Sequence, residues 1–135
     1  VILLDTDVLI DVALNRQPHA NTSGQLLSWL ELHAPRGFVA WHSLSNFYYL
    51  VRPARGGASV RSFLVDLTRF VSVAPADTDA LRYAATLQLG DFEDAMQVAA
   101  ARACGAEVIA TRNVAHFRSS PIPARTPSKL LAELG

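Results

Sequence analysis

Val1-Ile2-Leu3-Leu4 runs directly into Asp5-Thr6-Asp7. Such an apolar run fits a strand buried on both faces of a parallel sheet. A carboxylate at its carboxyl end stands where open α/β sheets hold their ligands. Asp5 there can bind a hard metal ion or act as a nucleophile. It can equally cap the helix that follows, as can Asp7. Two more groups have the same character. Asp91 and Asp94 open an Ala-rich helical stretch, and Thr111-Arg112-Asn113 follow a late apolar run. Asp91 fits an N-cap, with Asp94 in the first turn, where the helix dipole favours an acid. Asp94 also lies beside Ala95, Ala99 and Ala100, a small-residue face suited to close packing. A carboxylate at that border is costly unless it is paired or metal-bound. Thr111 and Asn113 fit a turn as well. If the first and fourth strands are neighbours, all three groups meet at one sheet edge. Converging carboxylates repel unless a cation lies between them, and oxygen donors of this kind suit Mg²⁺ or Mn²⁺. Such a centre can activate a water for in-line phosphoryl displacement.

The elements that would position these residues follow from periodicity and from breakers. Strands are expected at 1–5, 38–41, 71–74 and 107–111, with a short edge strand around 122–125. Helices are expected over 7–14 and across "SGQLLSWLELHA" (23–34). The next covers "SLSNFYYLVRPA" (43–54) and is ended by Pro53. Others cover "VRSFLVDLTRF" (60–70), the stretch opened by Asp77, the stretch opened by Asp91 and ended by Gly105, and a last one with Thr126 as cap and Pro127 at N1. The loop at 54–59 is the expected flexible segment. Strands separated by helices imply a parallel sheet with helices on both faces. No linker divides the chain, so residues 1–135 read as a single domain.

Half of the 135 residues are hydrophobic, which argues against disorder. Acids and bases balance at 12 each, so no global field marks a nucleic-acid partner. Lys129 is the only lysine among those bases. Arginine suits bidentate phosphate contacts, but a GC-rich genome gives the same bias. Cys104, the only cysteine, reads as a buried small hydrophobe in a chain without a disulfide framework. No signal peptide or membrane-spanning run is evident, which points to a cytoplasmic protein.

"LLDTDV" alone resembles the first motif of the haloacid-dehalogenase phosphohydrolases, but the rest of that pattern is missing. The single lysine lies in the terminal helix, and no paired acids follow a late strand. The chain resembles the PIN domain over nearly its whole length, through "LLDTDVLID", "SLSNFYYLV", "DFEDAMQVAAARACGAEVIATRNVAHF" and "PIPARTPSKLL". The resemblance implies a three-layer α/β/α fold around a central, mostly parallel sheet of four to five strands. It also implies a Mg²⁺- or Mn²⁺-dependent endoribonuclease, a toxin of a toxin–antitoxin pair, leaving a 5′-phosphate and a 3′-hydroxyl. By the same resemblance Asp5, Asp94 and Asp91 would hold the metal. Thr111 and Asn113 would orient Asp5 or a water, and Arg112 would meet the RNA backbone. RNA, an antitoxin protein and a second copy of the chain are the implied partners. "NFYYLV" and "VRSFLVDL" would supply apolar surface for a homodimer. Two positions depart from the family pattern: Asn46 stands where a Glu is usual, and His116 where an acid is usual. Both remove negative charge, yet Asn46 could still assist at the metal through its amide oxygen, and His116 could hydrogen-bond a phosphate or bind a softer metal. They favour a second expectation, a PIN-fold module that binds RNA or protein with little or no catalysis. His42, at the end of the second strand, reads as structural.

Overall fold

A computed structural model describes residues 1–135. The order of elements is β1 (Ile2–Leu4), α1 (Thr6–Ala13), α2 (His19–Leu32), β2 (Gly37–Val39), α3 (Trp41–Arg55), α4 (Gly57–Leu67) and β3 (Val71–Val73). Then come α5 (Thr78–Thr86), α6 (Phe92–Ala103), β4 (Val108–Ala110), a 3₁₀ turn (Val114–Phe117), β5 (Ala124–Arg125) and α7 (Pro127–Leu134). The five strands lie in the order β3-β2-β1-β4-β5, and every pair is parallel. Leu3 of β1 sits level with Phe38 of β2 and Ile109 of β4. The chain runs outward through β2 and β3, then crosses back to β4. The carboxyl ends of β1 and β4 therefore form the switch point of the sheet, where the crevice of such folds opens.

Alternation along β1 assigns the two faces. Ile2 and Leu4 join one core with Val8, Leu9, Leu26, Leu30, Phe47, Val51, Val60 and Leu130, from α1, α2, α3, α4 and α7. Leu3 points the other way, into a core with Ile109, Val98, Ala100, Ala101, Phe117 and Ala124. Ala84, Ala95 and Ala99 let α5 and α6 pack closely on that second side. This is the expected three-layer α/β/α arrangement, with five strands.

Local differences have local causes. Pro53 does not end α3, which continues to Arg55. The proline has no N–H to give the Tyr49 carbonyl, but Tyr49 is exposed and water can serve it instead. The expected loop at 54–59 reduces to Gly56, whose φ of 82° only glycine adopts readily; α4 begins at Gly57. Helix α2 starts at His19, well before Ser23, and has no side-chain cap. Strand β2 ends at Val39, so Trp41 belongs to α3. Cys104 is only half-buried and ends α6. No helix is long and apolar enough to cross a membrane.

Candidate functional site

Strand β1 ends at Leu4, and the next residue, Asp5, is the N-cap of α1. Its Oδ1 accepts from the Thr6 N–H at 2.7 Å. Its Oδ2 accepts from the Thr111 hydroxyl at 2.8 Å, across the β1–β4 boundary. Asp5 is 6% exposed. Burial pushes its carboxyl up to about 7, and the neighbouring Asp7 carboxylate adds to the rise. Asp7, in the first turn of α1, faces the loop after β4. Its Oδ2 accepts from the Arg112 N–H at 3.0 Å, the Asn113 amide at 3.2 Å and the Thr111 hydroxyl at 3.3 Å. Burial raises its pKa too, against the pull of the Arg112 N–H. Asn113 N–H in turn donates to the Thr111 hydroxyl oxygen at 3.0 Å. The Thr-Arg-Asn segment thus clasps the end of β1: Thr111 reaches Asp5, while Asn113 reaches Asp7. The Arg112 side chain turns inward, and its Nε donates to Asp11 Oδ2 at 2.6 Å, with Asp11 fully buried.

The second group sits at the start of α6. Asp91 is its N-cap, accepting from the Glu93 N–H at 2.7 Å, and is itself exposed. Asp94 is 7% exposed. Burial carries its carboxyl up to about 6; the Glu93 and Asp91 charges push the same way, and His116 opposes them. His116 Nδ1 lies 3.6 Å from Asp94 Oδ2, on a largely exposed ring. Glu93 was not singled out in the sequence, yet it anchors a polar network. It accepts from His42 Nε2 at 2.7 Å and from the Gln97 amide at 2.8 Å, and that amide also donates to the buried Ser43 hydroxyl oxygen at 2.6 Å. The spacing of Glu93 and Gln97, one helical turn apart, was the available signal. His42 is therefore tied to α6. Asn46, a turn further along α3, is exposed and joins none of these bonds.

A sequence model of the PIN domain matches residues 1–115. The chain belongs to the PIN domain family. No curated protein matches this PIN domain in sequence. Solved structures do share its fold. A toxin–antitoxin complex from Klebsiella pneumoniae superposes with a TM-score of 0.71 at 21% identity, covering 94% of this chain and 98% of that one. VapBC2 from Rickettsia felis, bound to a DNA fragment from its promoter, gives 0.70 at 16% identity, covering 93% and 97%. The Mycobacterium tuberculosis toxin VapC20, which cleaves the sarcin–ricin loop, gives 0.62 at 17% identity, covering 81% and 87%.

The PIN fold implies a divalent metal, a requirement that the donors of this PIN domain would have to meet. They do not meet it. No three His, Cys, Asp or Glu side chains converge closely enough to hold an ion. Both Asp5 oxygens already accept protein donors, and Asp91 is turned to its own helix. Asn46 and His116 supply no negative charge where the family pattern has acids. The expectation of a metal-dependent endoribonuclease held by Asp5, Asp94 and Asp91 is therefore overturned, and the alternative, a PIN module weak or inactive in catalysis, fits better. Mutual repulsion among the acids is relieved by threonine, asparagine, histidine and glutamine donors and by raised carboxyl pKa values.

Proposed function

We propose that this protein is a PIN-fold binding module of the toxin–antitoxin class, with little or no nuclease activity. One observation carries the reading: the acids at the switch point are held by internal donors and form no metal-holding group. In this reading Asp5, Asp91, Asp94, Asn46, Thr111, Asn113 and His116 shape a recognition surface, and Arg112 stiffens it through Asp11. The partner is an antitoxin-type protein, as in the complexes from Klebsiella pneumoniae and Rickettsia felis. A homodimer belongs to the same reading. Trp41, Tyr49 and Leu50 of α3 and Val65 of α4 are exposed apolar groups that a second copy would cover.

Manganese calorimetry with a parallel RNA assay tests it. The expected result is no saturable Mn²⁺ heat and no cleavage of a labelled single-stranded RNA. Stoichiometric Mn²⁺ binding with RNA cleavage, both abolished by Asp94→Asn, would overturn the proposal.

A further inference from the structure

An apolar pocket of about 150 Å³ opens between the start of α3, the loop before α5, α5 itself and α6. We infer that this pocket binds a compact organic cation, a small amine or guanidine with an apolar body the size of one ring. The inference does not depend on the reading above, because none of the switch-point acids lines the pocket.

Size and lining set the body of the ligand. A cavity of about 150 Å³ holds one benzene-sized ring. Five of the lining residues are alanines, from the end of β2, the loop before α5, α5 and α6, so no side chain of the protein fills the space. Trp41, Leu81 and Met96 complete the apolar walls, and Trp41 and Leu81 are 72% and 53% exposed. Large apolar groups left open beside a concave space gain from a ligand that covers them. Trp41 is shared with the apolar face proposed for a second copy. Tyr49 and Leu50 do not line the pocket, which therefore lies at the edge of that face.

Charge sets the head group. Asp77 lines the pocket and is exposed. Its Oδ1 accepts from the Asp79 N–H at 3.0 Å, and it pairs with no cation. From 74 to 96 the chain carries Asp77, Asp79, Asp91, Glu93 and Asp94 against Arg82 alone. Arg102, in the adjoining cleft, is held over the Tyr83 ring, 4.0 Å from its centroid. The other polar group of the pocket, His42, already donates from Nε2 to Glu93 at 2.7 Å, so any positive charge on that ring is matched. An anion would meet only like charge here. A cation gains both the unpaired Asp77 carboxylate and the Trp41 indole.

Met96 is the only methionine of the chain and lines the pocket. The full chain labelled with ¹³C-methyl methionine therefore gives one NMR signal from the pocket itself. It is titrated with three probes that share a phenethyl body and differ in charge: phenethylammonium, phenethyl alcohol and hydrocinnamate. A saturable shift of the Met96 methyl is expected with phenethylammonium, at a Kd about fivefold or more below that of the alcohol, with the carboxylate weakest. Ala80→Leu puts a larger side chain into the pocket from a half-buried position of α5, keeps a strong helix former there and should abolish the shift. Asp77→Asn keeps the α5 cap, since asparagine caps as well as aspartate, and should remove most of the preference for the amine. No saturable Met96 shift with phenethylammonium, or an unchanged shift in Ala80→Leu, overturns the inference. So does the alcohol or the carboxylate binding as tightly as the amine, or a preference for the amine untouched by Asp77→Asn.

Discussion

Replacing Asp5 by Asn should make the protein more stable at pH 8 and leave it nearly unchanged at pH 4. In the folded chain the Asp5 carboxyl is raised from 3.8 to about 7 by burial and by Asp7. The unfolded chain releases that proton near the lower value. Between the two, the folded state holds more protons, so stability falls as pH rises through the window and the full penalty is present above about pH 7. The window spans about three pH units, each worth about 1.4 kcal/mol, so the limit is about 4 kcal/mol. Asp7 shares the repulsion, and an expected gain of about 2 kcal/mol allows for that sharing. Asparagine keeps the local bonds. Its Oδ1 can accept from the Thr6 N–H, and its amide can donate to the Thr111 oxygen. The Thr111 proton then turns to Asp7, 3.3 Å away. Urea unfolding followed by circular dichroism at pH 4, 6 and 8 gives the free energies. A variant less stable than the parent at pH 8, or equally stabilised at pH 4, would refute the reasoning. Either result would mean that the ionised carboxylate is not the penalised species.

Other substitutions probe other links. Arg112→Ala leaves Asp11 buried without its cation and should cost about 3 kcal/mol or more; adding Asp11→Asn should recover part of that loss in the same urea assay. Thr111→Val removes the hydroxyl that lowers the Asp5 pKa, so stability at pH 8 should fall by about 1–2 kcal/mol and the fall should shrink at pH 4. Phe47→Ala empties a fully buried site stacked on Phe63 and should cost about 3–5 kcal/mol, read as a lower urea midpoint. Light scattering on Tyr49→Glu with Leu50→Glu should give the monomer mass where the parent gives a dimer; an unchanged mass would remove α3 from the proposed contact.

Much of the scaffold was legible because it rests on local rules. The Asp77, Asp91 and Thr126 caps, Pro127 at N1 and the apolar run of β1 all act within a few residues of themselves. The adjacency of β1 and β4, left as a condition by the sequence, is what brings Thr111 to Asp5. What could not be read was the pairing of individual oxygens. Sequence gives the order of Asp5, Asp91 and Asp94 but neither the separation of their carboxylates nor the donors each one meets. The capping roles open to Asp5 and Asp91 are the ones the fold realises, with the Thr6 N–H and the Thr111 hydroxyl donating to Asp5 and the Glu93 N–H to Asp91. Glu93 was hidden for the converse reason: an acid in the first turn of a helix looks like dipole matching until His42 and Gln97 are seen on it. The pairing of Arg112 with Asp11 was not legible either, because the two are 101 positions apart in sequence and Asp11 is buried.

The place of β1 at the centre of the sheet has a kinetic consequence. One edge of that strand pairs with β2 within the first 39 residues, but the other must wait for β4, which begins at Val108. The Thr111–Asp5 bond joins residues 106 positions apart. Closing so long a loop is slow because its entropy is lost before the contacts form. During synthesis the early strands and helices can gather, but half of the central strand stays open until most of the chain has been made. The polar cluster at the switch point is thus among the last parts of the molecule to exist, and a chain cut before β4 would carry an uncovered apolar edge in its place.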